Sequence, residues 1–196
     1  MALLNHVIGI LTKPKDEWLL IKEKSINTTQ LFTGYIAILA LIPAIVYFIS
    51  ISWIVIKMFA FSIIVYGLIS TLFYYAFILV SVYVSALIIN ALAPNFKSKQ
   101  NMNNALKLVA FSYTPILIAG IFSMLPIFGG FLSYVLSLYG LYLLYLGLEP
   151  LMETPTSEKN VYFVITLLVM VAIFVIATIV LMLPVSLLLS RLFFSF

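Results

Sequence analysis

Few residues in this chain could do chemistry, and their types limit what that chemistry could be. There is one histidine, His6, with six carboxylates and no cysteine. The missing cysteine rules out a thiol nucleophile, a disulfide and a thiolate metal site. Glu149, Glu153 and Glu158 form the one acidic cluster. Carboxylate oxygens so grouped can hold a hard cation, but Pro150 and Pro155 break the segment, and a solvated connector is the expected reading. His6 falls on a surface helix and is expected to be inert. There is no HExxH, GxSxG or P-loop sequence, and no acidic pair inside an apolar run. The expectation is a non-enzymatic protein without metal or cofactor. The stretch richest in functional groups is ALKLVAFSYTP, residues 105–115, where Lys107, Ser112, Tyr113, Thr114 and Pro115 interrupt an apolar segment.

The elements that must position these groups are membrane helices. Of 196 residues, 65% are hydrophobic and 8% charged, against about 25% charged in soluble domains. The fold class expected is all-α, a polytopic integral membrane protein with five transmembrane helices and an N-terminal amphipathic interfacial helix. A crossing takes roughly 20 apolar residues. Five stretches qualify: 31–50, 58–92, 104–125, 130–148 and 161–183. The second is too long for a perpendicular crossing, so it is expected to tilt or to begin at the interface before Gly67. Three regions follow: an N-terminal interfacial segment 1–29, a five-helix domain 30–183, and an apolar tail 184–196 lying at the outer interface or lengthening the last span.

The net charge of +4 lies in short loops, a topology signal and not a nucleic-acid surface. Lys13, Lys15, Lys22, Lys24, Lys97, Lys99, Lys107 and Lys159 fall on one side, and Lys57 and Arg191 on the other. This predicts a cell-membrane protein with its N-terminus in the cytoplasm and its C-terminus outside. No basic n-region precedes the first apolar stretch, so no cleavable signal is expected. Leu3, Leu4, Val7, Ile8 and Leu11 recur at helical spacing, which predicts a helix lying on the membrane. Pro14 starts a second helix, with Asp16 and Glu17 in its first turn and Trp18 as an interface anchor.

Within the spans, Lys107, Tyr113 and Glu149 are expected to form one polar cluster. The tight turn after the third span makes the third and fourth helices antiparallel neighbours, so Lys107 and Glu149 are expected to pair. Pro43, Pro115 and Pro184 are expected helix kinks. Pro115 frees a main-chain carbonyl, which Ser112 and Thr114 can re-satisfy. In the fourth span Ser133, Ser137, Gly140 and Gly147 form a small-residue packing face. Tyr134, Tyr139, Tyr142 and Tyr145 occupy the other side, and their phenols call for a polar interior or a protein contact.

The run Leu92-Ala93-Pro94, then ALKLVAFSYTP, ILIAG, LPIFGG and LYGLYLLYLGLEPLMETP, resembles the Yip domain (Ypt-interacting) family of five-span membrane proteins. The stretch from Lys13-Pro14 to Glu17-Trp18 is similar to what precedes the family's first span. The resemblance covers nearly the whole chain and implies five helices with a cytoplasmic N-terminus. Eukaryotic members associate with Rab-type GTPases and carry a longer N-terminal region. About thirty residues precede the first span here, like the short prokaryotic branch, and Rab binding is not carried over. Glu149-Pro150 departs from the pattern, in which proline directly follows Gly-Leu.

Two functions compete. One is a membrane protein that organises protein partners or lipids, including further copies of itself, with no nucleic-acid partner. The other is a small transporter or channel for an ion, lipid or small solute. A cavity reaching Lys107, Tyr113 and the tyrosine face would favour transport, and a packed interior would favour the organiser.

Overall fold

The computed structural model describes residues 5–56, 61–125 and 128–194, with side chains for 5–50, 67–125, 128–176 and 179. Every element among them is helical. Two short helices, α1 (Asn5–Thr12) and α2 (Pro14–Glu23), lead in. Then come α3 (Thr28–Leu31), a π-helical turn (Phe32–Ile36) and α4 (Ala37–Ile56), followed by α5 (Phe61–Leu92) and a 3-10 turn (Ala93–Phe96). After these come α6 (Met102–Ser112), α7 (Thr114–Ala119), a second 3-10 turn (Gly120–Met124), α8 (Phe128–Met152) and α9 (Thr156–Phe194).

Local chemistry explains the starts. Pro14 opens α2 with Asp16 and Glu17 in its first turn, and Lys22 closes it, matching the helix dipole at both ends. Asn27 caps α3 by accepting from the Thr29 N–H at 2.9 Å, while Gln30 reaches back to the Asn27 N–H, a capping box. Asn101 caps α6 in the same way, accepting from the Asn104 N–H at 3.1 Å. Left-handed Lys97 and Glu153 end the elements before the two connectors, a conformation in which a helix can terminate.

Five helical stretches are long and apolar enough to cross a membrane: Thr28–Ser50, Gly67–Phe96, Met102–Met124, Phe128–Met152 and Thr156–Ile176. The spans expected from sequence are found, with shifted ends. Met58 and Lys57 lie outside the described residues. The third stretch is broken where Tyr113 separates α6 from α7. α9 is assigned as one helix from Thr156 to Phe194, across the position of Pro184. Residues 195 and 196 lie outside the described set.

The third crossing is the hub. Every residue of α6 from Ala105 to Ser112 is buried, among α2, α3, α5 and α8. At the lysine-rich end the two connectors dock on each other. The Lys99 N–H donates to the Met152 carbonyl at 2.8 Å, and the Ser98 hydroxyl donates to Thr154 Oγ1 at 2.9 Å.

The lead-in helices differ from a helix lying on lipid. Ile8 is 72% exposed, but Ile10, Trp18 and Ile21 are fully buried in the core shared with α6 and α8. Tyr139 of α8 donates its phenol proton to the Leu11 carbonyl at 2.9 Å. Protein contacts therefore hold α1 and α2 against the bundle. Trp18 is a core residue, not an interface anchor, because its ring is seated on Gly147 and meets Phe111 edge to face.

Candidate functional site

Three polar places stand out in this apolar bundle. The first surrounds Lys107, which is 3% exposed. Its ammonium donates to the Lys24 carbonyl at 2.6 Å and to the Ile21 carbonyl at 3.4 Å. These are the last carbonyls of α2, where the dipole is negative and main-chain acceptors are left over. Lys107 therefore caps α2. Glu149 is elsewhere, its carboxylate accepting from Lys159 at 3.1 Å. The expected cluster of Lys107, Tyr113 and Glu149 does not assemble: Lys107 turns to the carbonyls of α2, Tyr113 to Ser85 and Glu149 to Lys159.

Beside Lys107 lies an unexpected buried pair. His6 is 5% exposed, and its Nδ1 faces the Glu17 carboxylate. Its Nε2 accepts from the Lys24 ammonium at 2.7 Å. The histidine expected to be inert is thus the bridge between α1 and α2. Gly9 makes room for the carboxylate, since a Cβ there would fall 2.0 Å from Glu17 Oε2.

The second place is the break before Pro115. Thr114 shares a hydrogen bond of 2.6 Å with the buried Tyr35 hydroxyl, and Tyr113 shares one of 3.1 Å with Ser85. Ser112 Oγ is buried without a partner. The expected repair of the bend by Ser112 and Thr114 is therefore not the arrangement adopted. Gly140 accommodates the break instead, because a Cβ there would lie 2.9 Å from the Ser112 carbonyl oxygen. Pro43 lies inside α4 and packs on Gly120, where a Cβ would lie 2.6 Å from the proline ring. Pro184 lies inside α9, among residues whose side chains are not described.

Beyond the break is a cavity of about 670 Å3, lined by Tyr113 together with Pro43, Tyr47, Tyr74, Ser133 and Ser137 among others. Among the described residues no charged side chain lines it. Several of its serines already donate to main-chain carbonyls, Ser133 to Ala119 at 3.2 Å and Ser137 to Ser133 at 2.8 Å. The cavity reaches Tyr113 but neither Lys107 nor the tyrosine face. That face is itself split. Tyr134 is 64% exposed and Tyr142 is exposed as well, whereas Tyr139 binds Leu11, and Tyr145 donates to Asn160 Oδ1 at 2.8 Å.

The third place joins α2, the end of α8 and the start of α9, around Lys15, Trp18, Glu149 and Lys159. The ammonium of Lys159 sits 4.5 Å from the Tyr145 ring centroid as well as on Glu149. The other two members of the acidic cluster are also matched to lysines. Glu153 takes Lys99 at 3.2 Å, and Glu158 takes Lys97 at 2.6 Å. The carboxylate beside Lys97 raises the pKa of its ammonium. Among the described residues no group of three His, Cys, Asp or Glu side chains converges on a common point.

The family model described as Yip1 domain matches residues 8–193. No curated protein and no solved structure gives a match.

Proposed function

The chain belongs to the Yip1 domain family, and from that premise we propose that it is a non-enzymatic multi-pass membrane protein that organises protein partners or lipids through its helix faces. The observation that carries this reading is the filled lysine-rich half. The hub helix α6 is buried from Ala105 to Ser112, and its lysine is consumed by the carbonyls of α2. Side chains that could serve a moving solute are used as struts. Much apolar and phenolic surface remains outward on α8, including Phe128, Phe131 and Tyr134.

The test pairs two measurements on the full chain in proteoliposomes. Ion and small-solute flux should not exceed that of empty vesicles. A photo-crosslinking residue at Phe131 or Tyr134 should capture a second polypeptide or one lipid species selectively, while one at the equally exposed Leu168 on α9 captures only bulk lipid. Flux that a bulky Ser137→Trp change abolishes would overturn the reading and make the cavity at Tyr113 a route.

We further propose a cell-membrane location, and the lysine distribution supports an N-terminus in the cytoplasm. A reporter fused after Phe196 should then read as extracytoplasmic. A cytoplasmic reading would reverse the placement of Lys97, Lys99 and Glu153.

A further inference from the structure

His6 is the one histidine of the chain, and it is buried. Both of its ring nitrogens are engaged. Nδ1 faces the Glu17 carboxylate, and Nε2 lies 2.7 Å from the Lys24 ammonium. An ammonium has three donors and no acceptor, so Nε2 must be bare. The ring proton of the neutral imidazole is then on Nδ1, where it is donated to Glu17. Only a neutral His6 can take Lys24. Histidine is also the side chain that ordinarily changes charge between about pH 5 and 8.

The elements packed around the ring supply no second acceptor. α1 itself carries no other titratable side chain. From α6, the Phe111 ring meets the imidazole edge to face at 5.8 Å. Lys107, one turn earlier, is buried and donates to the carbonyls of Lys24 and Ile21. From the π-helical turn, Tyr35 packs on Phe111 at 4.5 Å and shares a hydrogen bond with Thr114. From α8, Tyr139 donates to the Leu11 carbonyl. Lys13, Lys15, Asp16, Lys22 and Glu23 are exposed. A second proton on His6 would set an Nε2–H against an ammonium, donor to donor and charge to like charge. Lys24 is exposed, so its side chain can turn to water. Its carbonyl, which Lys107 uses, need not move.

We infer that the chain Lys24–His6–Glu17 is a pH-sensitive clasp between α1 and the end of α2. Neutral His6 ties the Lys24 ammonium to α1. Protonation of Nε2 releases that ammonium to the water at the lysine-rich end, while the imidazolium stays on Glu17 and Lys107 keeps its cap on α2. The change is an exchange of partners, not an unfolding. Acid thereby adds one free positive charge to the exposed lysines of the lead-in helices. The inference rests on this cluster and not on the organising role, so absence of a crosslinked partner leaves it standing.

The test is magnetic resonance on the full chain in detergent, with 15N-histidine and 13C-lysine, from about pH 8 to about pH 5. A single histidine gives a single pair of ring nitrogens to follow. At the alkaline end they should show a protonated Nδ1 and a bare Nε2. A protonated Nε2 there would overturn the clasp, and so would an imidazole that stays neutral to the acid end. The Lys24 side-chain signal, assigned by its loss in Lys24→Met, should shift with the same midpoint as the ring. A Lys24 signal that ignores the ring's titration would overturn the release. Lys24→Met changes an exposed side chain and should raise the proton affinity of His6 about threefold. Glu17→Gln should lower it, because the opposite charge is gone. An unchanged affinity in Lys24→Met would overturn the proposal. Should Glu17→Gln not fold, the parent spectra and Lys24→Met still decide.

Discussion

Gly147→Val should destabilise the protein by about 3 kcal/mol. Gly147 lies on α8 where three elements converge. A Cβ built there would sit 2.4 Å from Leu108 Cδ1 and 2.8 and 2.9 Å from Trp18 Cε2 and Cζ2. The leucine methyl can rotate away. The indole cannot, because Trp18 is fully buried against Phe111. Valine adds two further methyls to the same spot, so α2 must lift from α8. The opposing term is the backbone entropy a glycine loses, worth about 0.5–1 kcal/mol when it is replaced inside a helix. Gly130, on the same helix, isolates that term, since nothing lies within 4 Å of its Cβ position. Gly130→Ala should therefore leave the melting temperature in detergent unchanged or slightly raised. If Gly147→Val melts with the parent, Trp18 is not seated where the structure places it.

Lys107→Met should cost about 2 kcal/mol, and the cost should not depend on Glu149. Methionine keeps the length of the stem and removes the charge. Two effects then oppose each other. The protein no longer holds an ammonium away from water, which favours the variant. The carbonyls of Lys24 and Ile21 lose the donor that caps them, and hydrogen bonds to charged groups are worth about 1.5–3 kcal/mol each. The bond at 2.6 Å is short and charge-assisted, so the loss wins. A double-mutant cycle with Glu149→Gln decides the partner. The two changes should add to within about 0.5 kcal/mol, since Glu149 accepts from Lys159. A coupling well above that would mean that Lys107 and Glu149 meet after all.

The difference between the expected and the observed partner shows what was legible in the sequence. The five crossings were, because each is a run of apolar residues long enough for the bilayer, and the bilayer length is fixed. The break near Pro115 was legible too, since proline lacks the donor a continuous helix needs. The partner of Lys107 was not. Sequence suggests partners by charge, and Glu149 was the carboxylate in reach. The acceptors are main-chain carbonyls, which every residue carries, and they become a site only when a helix ends there. The buried role of His6 was hidden for a related reason. Its carboxylate partner is eleven residues away across the turn at Pro14, and helical periodicity carries no information across a turn. Trp18 was misplaced because tryptophan is common at membrane interfaces, and nothing local distinguishes an anchor from a residue that a glycine 129 positions later receives.

The cap that Lys107 places on α2 bears on biogenesis. A third crossing with a lysine and a broken helix is a poor candidate to partition into lipid unaided. The segment whose carbonyls accept from it is synthesised about 83 residues earlier. On this geometry insertion of the third crossing would be a capture event, in which an early segment receives a late one. A chain deprived of residues 1–24 would fail not at its amino terminus but at its third crossing. Quality control would then see a helix hairpin slipping back out of the bilayer.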